Sequence, residues 1–247
     1  TNVLTHTVTV SNTDKFRYAL VSGTTCPIVA GDYSNFFLFS SQININTTLI
    51  LDGNVSLCIQ GRDNAGNTQD INAVSKYSWV KDTSPATATI SSAPSNRSKV
   101  TELAVTIGGS EVANYYYNIN SGSSCSASWS AARNVATHIT DSISGVADGQ
   151  ITLCVKGEDA VGNIQELATT TTWTKDTIAP NDLTATGAPS GTSSAVSVNV
   201  TVASSDAEEY VYTLNNSASC PSAPTSGFIA IANVISQSID GLSDGTV

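Results

Sequence analysis

Along this chain apolar residues alternate with Ser, Thr and Asn in short runs, and no window places them at the spacing of a helical stripe. The run "GQITLCVKG" (149–157) shows the pattern. Ile151, Leu153 and Val155 fall on one face of a strand, with Thr152, Cys154 and Lys156 on the other. Between positions 83 and 177 the alternation predicts about seven strands. They lie around "TATIS", "ELAVTIG", "NYYYNIN", "ASWSA", "VATHITDSI", "GQITLCVKG" and "ATTTTWTK". Ala-Pro-Ser-Asn, Gly-Gly-Ser, Ser-Gly-Ser-Ser, Asp-Gly and Val-Gly-Asn punctuate them as turns. Such strands bury their apolar side only against a second sheet, so an all-β fold is expected. Tyr115, Tyr117 and Ile119 share one parity and are core candidates, and Trp173 is expected to cap one end of that core.

The pattern repeats along the chain. Asp-Gly recurs at Asp52-Gly53, Asp148-Gly149 and Asp244-Gly245, 96 residues apart each time, and Cys58 and Cys154 keep the same period. "YSWVKDTSPATATI" matches "TTWTKDTIAPNDLT", aligning Trp79 with Trp173 and Asp82 with Asp176. A Tyr precedes a Cys by eight positions in Tyr18–Cys26, Tyr117–Cys125 and Tyr212–Cys220. Three domains are therefore expected: 1–82 without its opening strand, 83–177 complete, and 178–247 without its last strands. The chain reads as a window on a longer repetitive protein. Strand exchange between subunits is the rival, but the end copies overlap through their middle strands and do not tile into one domain.

Composition narrows the class. Charged residues make up 12% and aromatic residues 6% of the 247, Met is absent, and the net charge is −10. Nucleic acid and anionic membrane surfaces need clustered Lys and Arg, so neither is an expected partner. No apolar run approaches a bilayer span, so no membrane insertion is expected. The opening residues, "VLTHTVTV" from Val3, are strand-like and lack the basic-then-apolar start of a signal peptide, so the chain reads as a mature or partial segment.

The repeat also orders the five cysteines. Cys26 with Cys58 and Cys125 with Cys154 give one pair per repeat, and Cys220 is left over. This regularity predicts a disulfide in each complete domain and an oxidising compartment. Zinc is the rival, but neither a Cys-x-x-Cys spacing nor a Cys/His cluster supports it. Strand parity turns Cys58 and Cys154 away from the apolar side, so each bond is expected to be a peripheral staple.

Seven strands in a repeat of this length match an immunoglobulin-like β-sandwich. The combination of Asp-x-Ala/Val-Gly-Asn with "WVKDTSP" and "WTKDTIAP" resembles the tandem bacterial Ig-like repeats of large secreted or surface-anchored proteins. That resemblance implies rods or stalks in adhesins, surface fibres and multidomain secreted enzymes. It implies an extracellular or cell-surface location, with further repeats or other copies of the chain as partners. The expected function is a structural segment of such a fibre, stalk or adhesin. The alternatives are a glycan- or host-protein-binding module, or a non-catalytic spacer in a secreted hydrolase.

Candidate sites are few. Asp63-Asn-Ala-Gly-Asn67 and Asp159-Ala-Val-Gly-Asn163 follow the Cys strand, and turn chemistry accounts for them without a ligand. The alternative is calcium held by Asp82, Asp159 and Asn163 with Glu158, although Arg62 stands where a recurring site needs an acid. No other cofactor is expected. "NFFLF" (35–39) is peculiar to the first copy. Phe36, Phe37 and Trp129 are candidate partner contacts, against packing as the plainer reading. Pro85 and Pro180 stiffen the linkers. Sequons at Asn46, Asn54, Asn96, Asn199 and Asn215 are at the frequency expected by chance in so Asn- and Ser-rich a chain. His138 and the pair Glu208-Glu209 form no catalytic motif, so no enzymatic activity is expected.

Overall fold

The computed structural model describes residues 3–6, 14–38, 43–215, 219–220, 222 and 227–240. Asp244-Gly245 and Phe39 lie outside them. The chain divides into two compact units, Thr1–Asp176 and Thr177–Val247.

The first copy of the repeat supplies β1 (Val3–His6), β2 (Lys15–Ser22), β3 (Phe37–Leu38), β4 (Ile43–Asn46), β5 (Gly53–Arg62) and β6 (Ser75–Lys81). An antiparallel sheet in the order β3-β2-β5-β6 faces the β1-β4 pair. Phe16, Ile45, Leu57 and Ile59 form the core, with Trp79 packed at its margin.

The second copy supplies β7 (Thr87–Ser91), β8 (Arg97–Ser98), β9 (Thr106–Ser110), β10 (Asn114–Ser121), β11 (Arg133–Asn134), β12 (Gly149–Glu158) and β13 (Thr169–Lys175). Its sheet runs β11-β10-β12-β13-β8 and faces the β7-β9 pair, which single bridges extend at Val105–Ile139 and Glu102–Ser142. The result is a β-sandwich with the two-sheet order of an immunoglobulin-like domain. Tyr115, Tyr117, Ile139, Ile151, Leu153, Val155 and Trp173 fill it, and Ile119 packs against them. Trp173 belongs to the core cluster and pairs with Ile151, near the start of β12.

Two expected strands are absent. "ASWSA" is loop and "VATHITDSI" keeps only single bridges, because polar side chains take up the local backbone groups. Asn118 Nδ2 donates to the carbonyls of Ser126 and Ser128, and the Ala136 N–H donates to Asn134 Oδ1. An unexpected strand appears instead. Asn96, at φ 54°, swings the chain across to β13, where β8 pairs in parallel.

The second unit holds β14 (Thr184–Thr186), β15 (Ser197–Ala203), β16 (Glu209–Tyr210), β17 (Ile229–Ala230) and β18 (Ile235–Ser238), ordered β14-β15-β18 and β16-β17. Val198, Val200 and Val202 alternate inward from β15 onto Tyr210 and Ile235. The Tyr210 hydroxyl donates to the Asn233 carbonyl (2.7 Å), as Tyr115 does to Thr137 (2.6 Å).

The β7-β9 pair is close enough to require glycine at one place. A Cβ on Gly109 would lie 2.0 Å from the Thr87 carbonyl oxygen, at φ 132°. Gly109→Ala is expected to cost about 2–4 kcal/mol, combining backbone strain with overpacking. Gly145→Ala, in open space, should be nearly neutral. Denaturant unfolding of both variants checks this.

Candidate functional site

Strands β5 and β12 are buried on both faces, and the candidate residues gather around them. Cys58 and Cys154 are 0% exposed, each bonded to a loop cysteine, Cys26 and Cys125 respectively. The bonds lie outside the main cores of the two copies, and Cys125 is itself exposed. Parity does turn these cysteines away from the main core, but the loop they hold folds over the back of the sheet and seals it. In the first copy that second layer comprises Ala19, Tyr33 and Cys58, with Val21, Cys26, Ile71 and Val74 packed on it. Buried polar groups beneath the loop are satisfied. Ser56 Oγ donates to the Gly23 carbonyl (2.8 Å), and Thr152 Oγ1 donates to that of Gly122 (2.5 Å). Cys220 is exposed and forms no disulfide among the described residues.

Below the staple, the Asp-x-x-Gly-Asn turns close on themselves. Asp159 Oδ1 accepts from the N–H groups of Val161 (2.9 Å) and Asn163 (2.8 Å), and Oδ2 accepts from Asn163 Nδ2 (2.8 Å). Burial pushes the Asp159 carboxyl up, but the donors from Asn163 and Val161 outweigh it and hold it below the usual carboxylate range. Asp63 makes the same bonds to Asn67, whose side chain and N–H depress its pKa.

Of the three candidate calcium ligands, the structure brings Asn163 to Asp82, but through the main chain: Asn163 Nδ2 donates to the Asp82 carbonyl (3.1 Å). The Asp82 carboxylate accepts instead from the Ser84 N–H (3.0 Å). Glu158 is taken up by Tyr116 (3.2 Å) and Asn114 (3.4 Å). Among the described residues, no three His, Cys, Asp or Glu lie close enough to hold a metal ion.

A second contact ties the same linker from the other side. Asp52, of the first Asp-Gly, accepts from the Thr83 N–H (3.0 Å), Thr83 Oγ1 (2.9 Å) and Ser84 Oγ (3.0 Å), and pairs with Lys81 (3.1 Å). The Thr83 N–H, then Lys81 and the Thr83 hydroxyl, hold its carboxyl well below the ordinary range. Lys81 also donates to the Ile50 carbonyl (2.7 Å). The second copy repeats the node: Lys175, 4% exposed, donates to Asp148 (2.9 Å) and to the Val146 carbonyl (2.7 Å). Both partners were visible in the sequence as recurring marks, but their meeting was not.

The aromatic candidates make local ring contacts, with Phe37 39% exposed. Phe37 pairs with Phe16 across β2-β3 and lies 5.8 Å from the rings of Phe16 and Tyr18. Register places it where the second copy has Arg133, and the 96-residue period places Ile45 where that copy has Asp141. There Arg133 lies over the Tyr117 ring (4.8 Å), and Tyr117 donates to Asp141 (2.6 Å). Burial and that hydrogen bond push the Tyr117 phenol well up. The guanidinium groups of Arg17 (5.0 Å) and Arg62 (5.4 Å) both approach the Phe36 ring. Trp129, half-buried, has Lys156 over its ring (5.3 Å), and Tyr33 at the matching position has Arg17 over its own (5.2 Å). His138 and Glu208-Glu209 are exposed.

No family model and no curated protein matches the sequence. One solved structure that does match is described as the crystal structure of a tetra-tandem repeat in the extending region of a large adhesion protein. It is 16% identical with a TM-score of 0.33, and the match covers 81% of this chain and 52% of that one. This chain thus spans about half the length of that neighbour.

Two outcomes follow from the joint. With the Asp52 carboxyl depressed on folding, its contribution is complete above about pH 4, the unfolded value, and is lost as pH falls further. Between about pH 5 and pH 2 the melting temperature of Asp52→Asn should therefore fall less steeply than that of the wild type. Because the Asp159 turn is closed by its own donors, EDTA and excess calcium should leave the wild-type melting temperature the same to within about 1 °C.

Proposed function

We propose that this chain is a structural segment of an extracellular bacterial fibre, stalk or adhesin, whose disulfide-stapled repeats transmit tension from one to the next. Its partners in this reading are further repeats of the same type. The observation that carries the proposal is the geometry of chain entry and exit in the second copy. Strand β8, the second strand after the chain enters through β7, and the leaving strand β13 are neighbours and run parallel. The Thr174 N–H donates to the Asn96 carbonyl (2.7 Å), the Asp176 N–H donates to that of Ser98 (3.0 Å), and Arg97 pairs with Asp176 (2.9 Å). Once β7 has been drawn off β9, a pull at the two ends of the repeat shears these bonds together instead of opening them singly.

Two further features fit the same role. The linker entering the second copy is held by Asp52 behind it and Asn163 ahead of it, so load passes through pinned backbone. The staple then limits what unfolding releases, because residues between Cys125 and Cys154 stay closed in a loop. A net charge of −10 suits a long chain that must remain soluble. Two disulfides fit an oxidising compartment, and among the described residues no helix is long and apolar enough to cross a membrane.

Single-molecule stretching tests this. The bonded cysteines lie 32 and 29 residues apart, so reductant should add roughly 100 Å of extension to each unfolding event of a stapled repeat. Unfolding steps of equal length with and without reductant, or unfolding at forces no higher than for a sandwich loaded strand by strand, would count against a tension-transmitting role.

A further inference from the structure

The outer face of the first copy carries a group of cations that the second copy lacks. Lys15 and Arg17 on β2 and Arg62 on β5 share the face of Cys58, and Lys15 stands directly opposite Arg62 across the ladder. Like charges so placed repel. Among the described residues none of the three pairs with a carboxylate, although the chain carries 20 Asp and Glu against 10 Lys and Arg. Asp63, next to Arg62, has its carboxylate engaged by Asn67.

Neutral groups hold the two guanidinium groups instead. Arg17 Nε donates to Gln60 Oε1 (2.7 Å) and Nη1 donates to the Ala30 carbonyl (3.0 Å). Gln60, 2% exposed, is itself anchored, its Nε2 donating to the Gln69 carbonyl (2.6 Å). Gln69 Oε1 accepts in turn from the Gly61 N–H (3.1 Å), as Gln165 Oε1 does from Gly157 (3.1 Å). Arg62 Nε donates to the Gly66 carbonyl (3.2 Å). Both groups approach the Phe36 ring, and Leu38, 61% exposed, pairs with Lys15 beside them. This leaves Arg17 Nη2 and both terminal nitrogens of Arg62 without a protein acceptor among the described residues.

Four seats change together to make this group. The second copy has Asn114, Tyr116, Glu158 and Ala132 in place of Lys15, Arg17, Arg62 and Phe36. There Glu158 accepts from Tyr116 and Asn114, so the face closes on itself and bonds to no residue of the preceding repeat. The bonded cysteines are 32 residues apart in the first copy against 29 in the second, and the longer stretch forms the turn Ala30–Asp32 that supplies the carbonyl for Arg17. Filling the layer does not require these changes, since the second copy fills it without them.

We propose that Lys15, Arg17, Arg62 and Phe36 form a binding site for an acidic oligosaccharide, the two guanidinium forks taking its carboxylate or sulfate groups. The size of the group favours a sugar over a protein. A stable protein interface needs about 800 Å² from each side. This group is flanked in the chain by Asp14, Asp32 and Asp63, which repel an acidic surface broad enough to reach them. A narrow ligand reaches the cations and avoids the acids. Such a site works in a tension-bearing repeat or without one, so the stretching experiment does not bear on it.

The test titrates the full chain with trigalacturonate, which carries carboxylates, with a heparin tetrasaccharide, which adds sulfates, and with uncharged maltotriose. Calorimetry should show saturable binding of one or both acids, weakened by salt, and none of maltotriose. A preference between the acids names the group that is read. Arg17→Gln and Arg62→Gln should each weaken binding about tenfold, and Arg62→Lys, which keeps the charge but loses the fork, about threefold. Lys99→Gln, an equal loss of charge on an exposed residue of the second copy, should leave binding unchanged. Near-ultraviolet circular dichroism checks that each variant is folded. Absence of binding by both acids, or equal losses in Lys99→Gln and Arg62→Gln, would overturn the proposal. So would self-association in sedimentation that depends on Arg62 while neither acid binds, which assigns the face to a second copy of the chain.

Discussion

The central constraint in these repeats is a strand that must be dry on both faces. Val55, Leu57 and Ile59 face the sandwich core, while Ser56, Cys58 and Gln60 on the opposite side are buried as well. A sandwich of this size ordinarily leaves the outer face of each sheet to water. Here a loop must lie across that face, and a loop brings backbone groups that need partners. The polar residues on the strand supply them, as Ser56 and Thr152 do, and the disulfide holds the loop in place. Closing some 30 residues lowers the entropy of the unfolded chain by an amount worth roughly 3–4 kcal/mol. That is comparable to the net stability of a small core, so the staple is a condition of the second layer and not an ornament on it.

Once the central strand is fixed, the ends of the domain follow. Its first residues are the Asp-Gly turn that reaches the outgoing linker, and its last lead into the Asp-x-x-Gly-Asn hairpin. In the first copy the Asp-Gly end grips Thr83 and Ser84, and in the second the hairpin grips Asp82. One linker is thus held from two sides by the two ends of equivalent strands. A bound cation would do the same work with fewer bonds. Here the carboxylates are already satisfied by N–H, hydroxyl and ammonium donors.

Much of this was legible in the sequence, and the reason is periodicity. Strand alternation and a period of 96 residues are properties of position along the chain, so the β-class, the parity of Cys154 against Leu153, and the turn chemistry of Asp159–Asn163 could be read from them. What was not legible depends on contacts between distant positions. The burial of Cys154 follows from a loop 29 residues away. The loss of "ASWSA" as a strand follows from Asn118 competing for its carbonyls across the sheet. β8 was missed because two residues pairing in parallel leave no alternation to detect.

The difference between copies also separates scaffold from decoration. Arg133 and Asp141 in the second copy are replaced together by Phe37 and Ile45 in the first. An ion pair is exchanged for two apolar residues at the same two seats, Ile45 in the core cluster and Phe37 against Phe16 and Tyr18. Changing one partner alone would strand a half-buried charge, whereas changing both is nearly neutral in free energy. The same holds where Lys156 over Trp129 becomes Arg17 over Tyr33: the ring and its cation persist while their identities change. Side-chain chemistry on these faces therefore varies under a single rule, that each layer stays filled. What stays the same is the set of devices that fix backbone position: the Cys staple, the Asp-Gly to Lys pair, the Asp–Asn hairpin and the Gln that reads its neighbour's N–H. A recognition site shared by both copies would be expected to hold its exposed chemistry and let the frame adjust around it. These two copies hold the frame and vary the side chains set upon it.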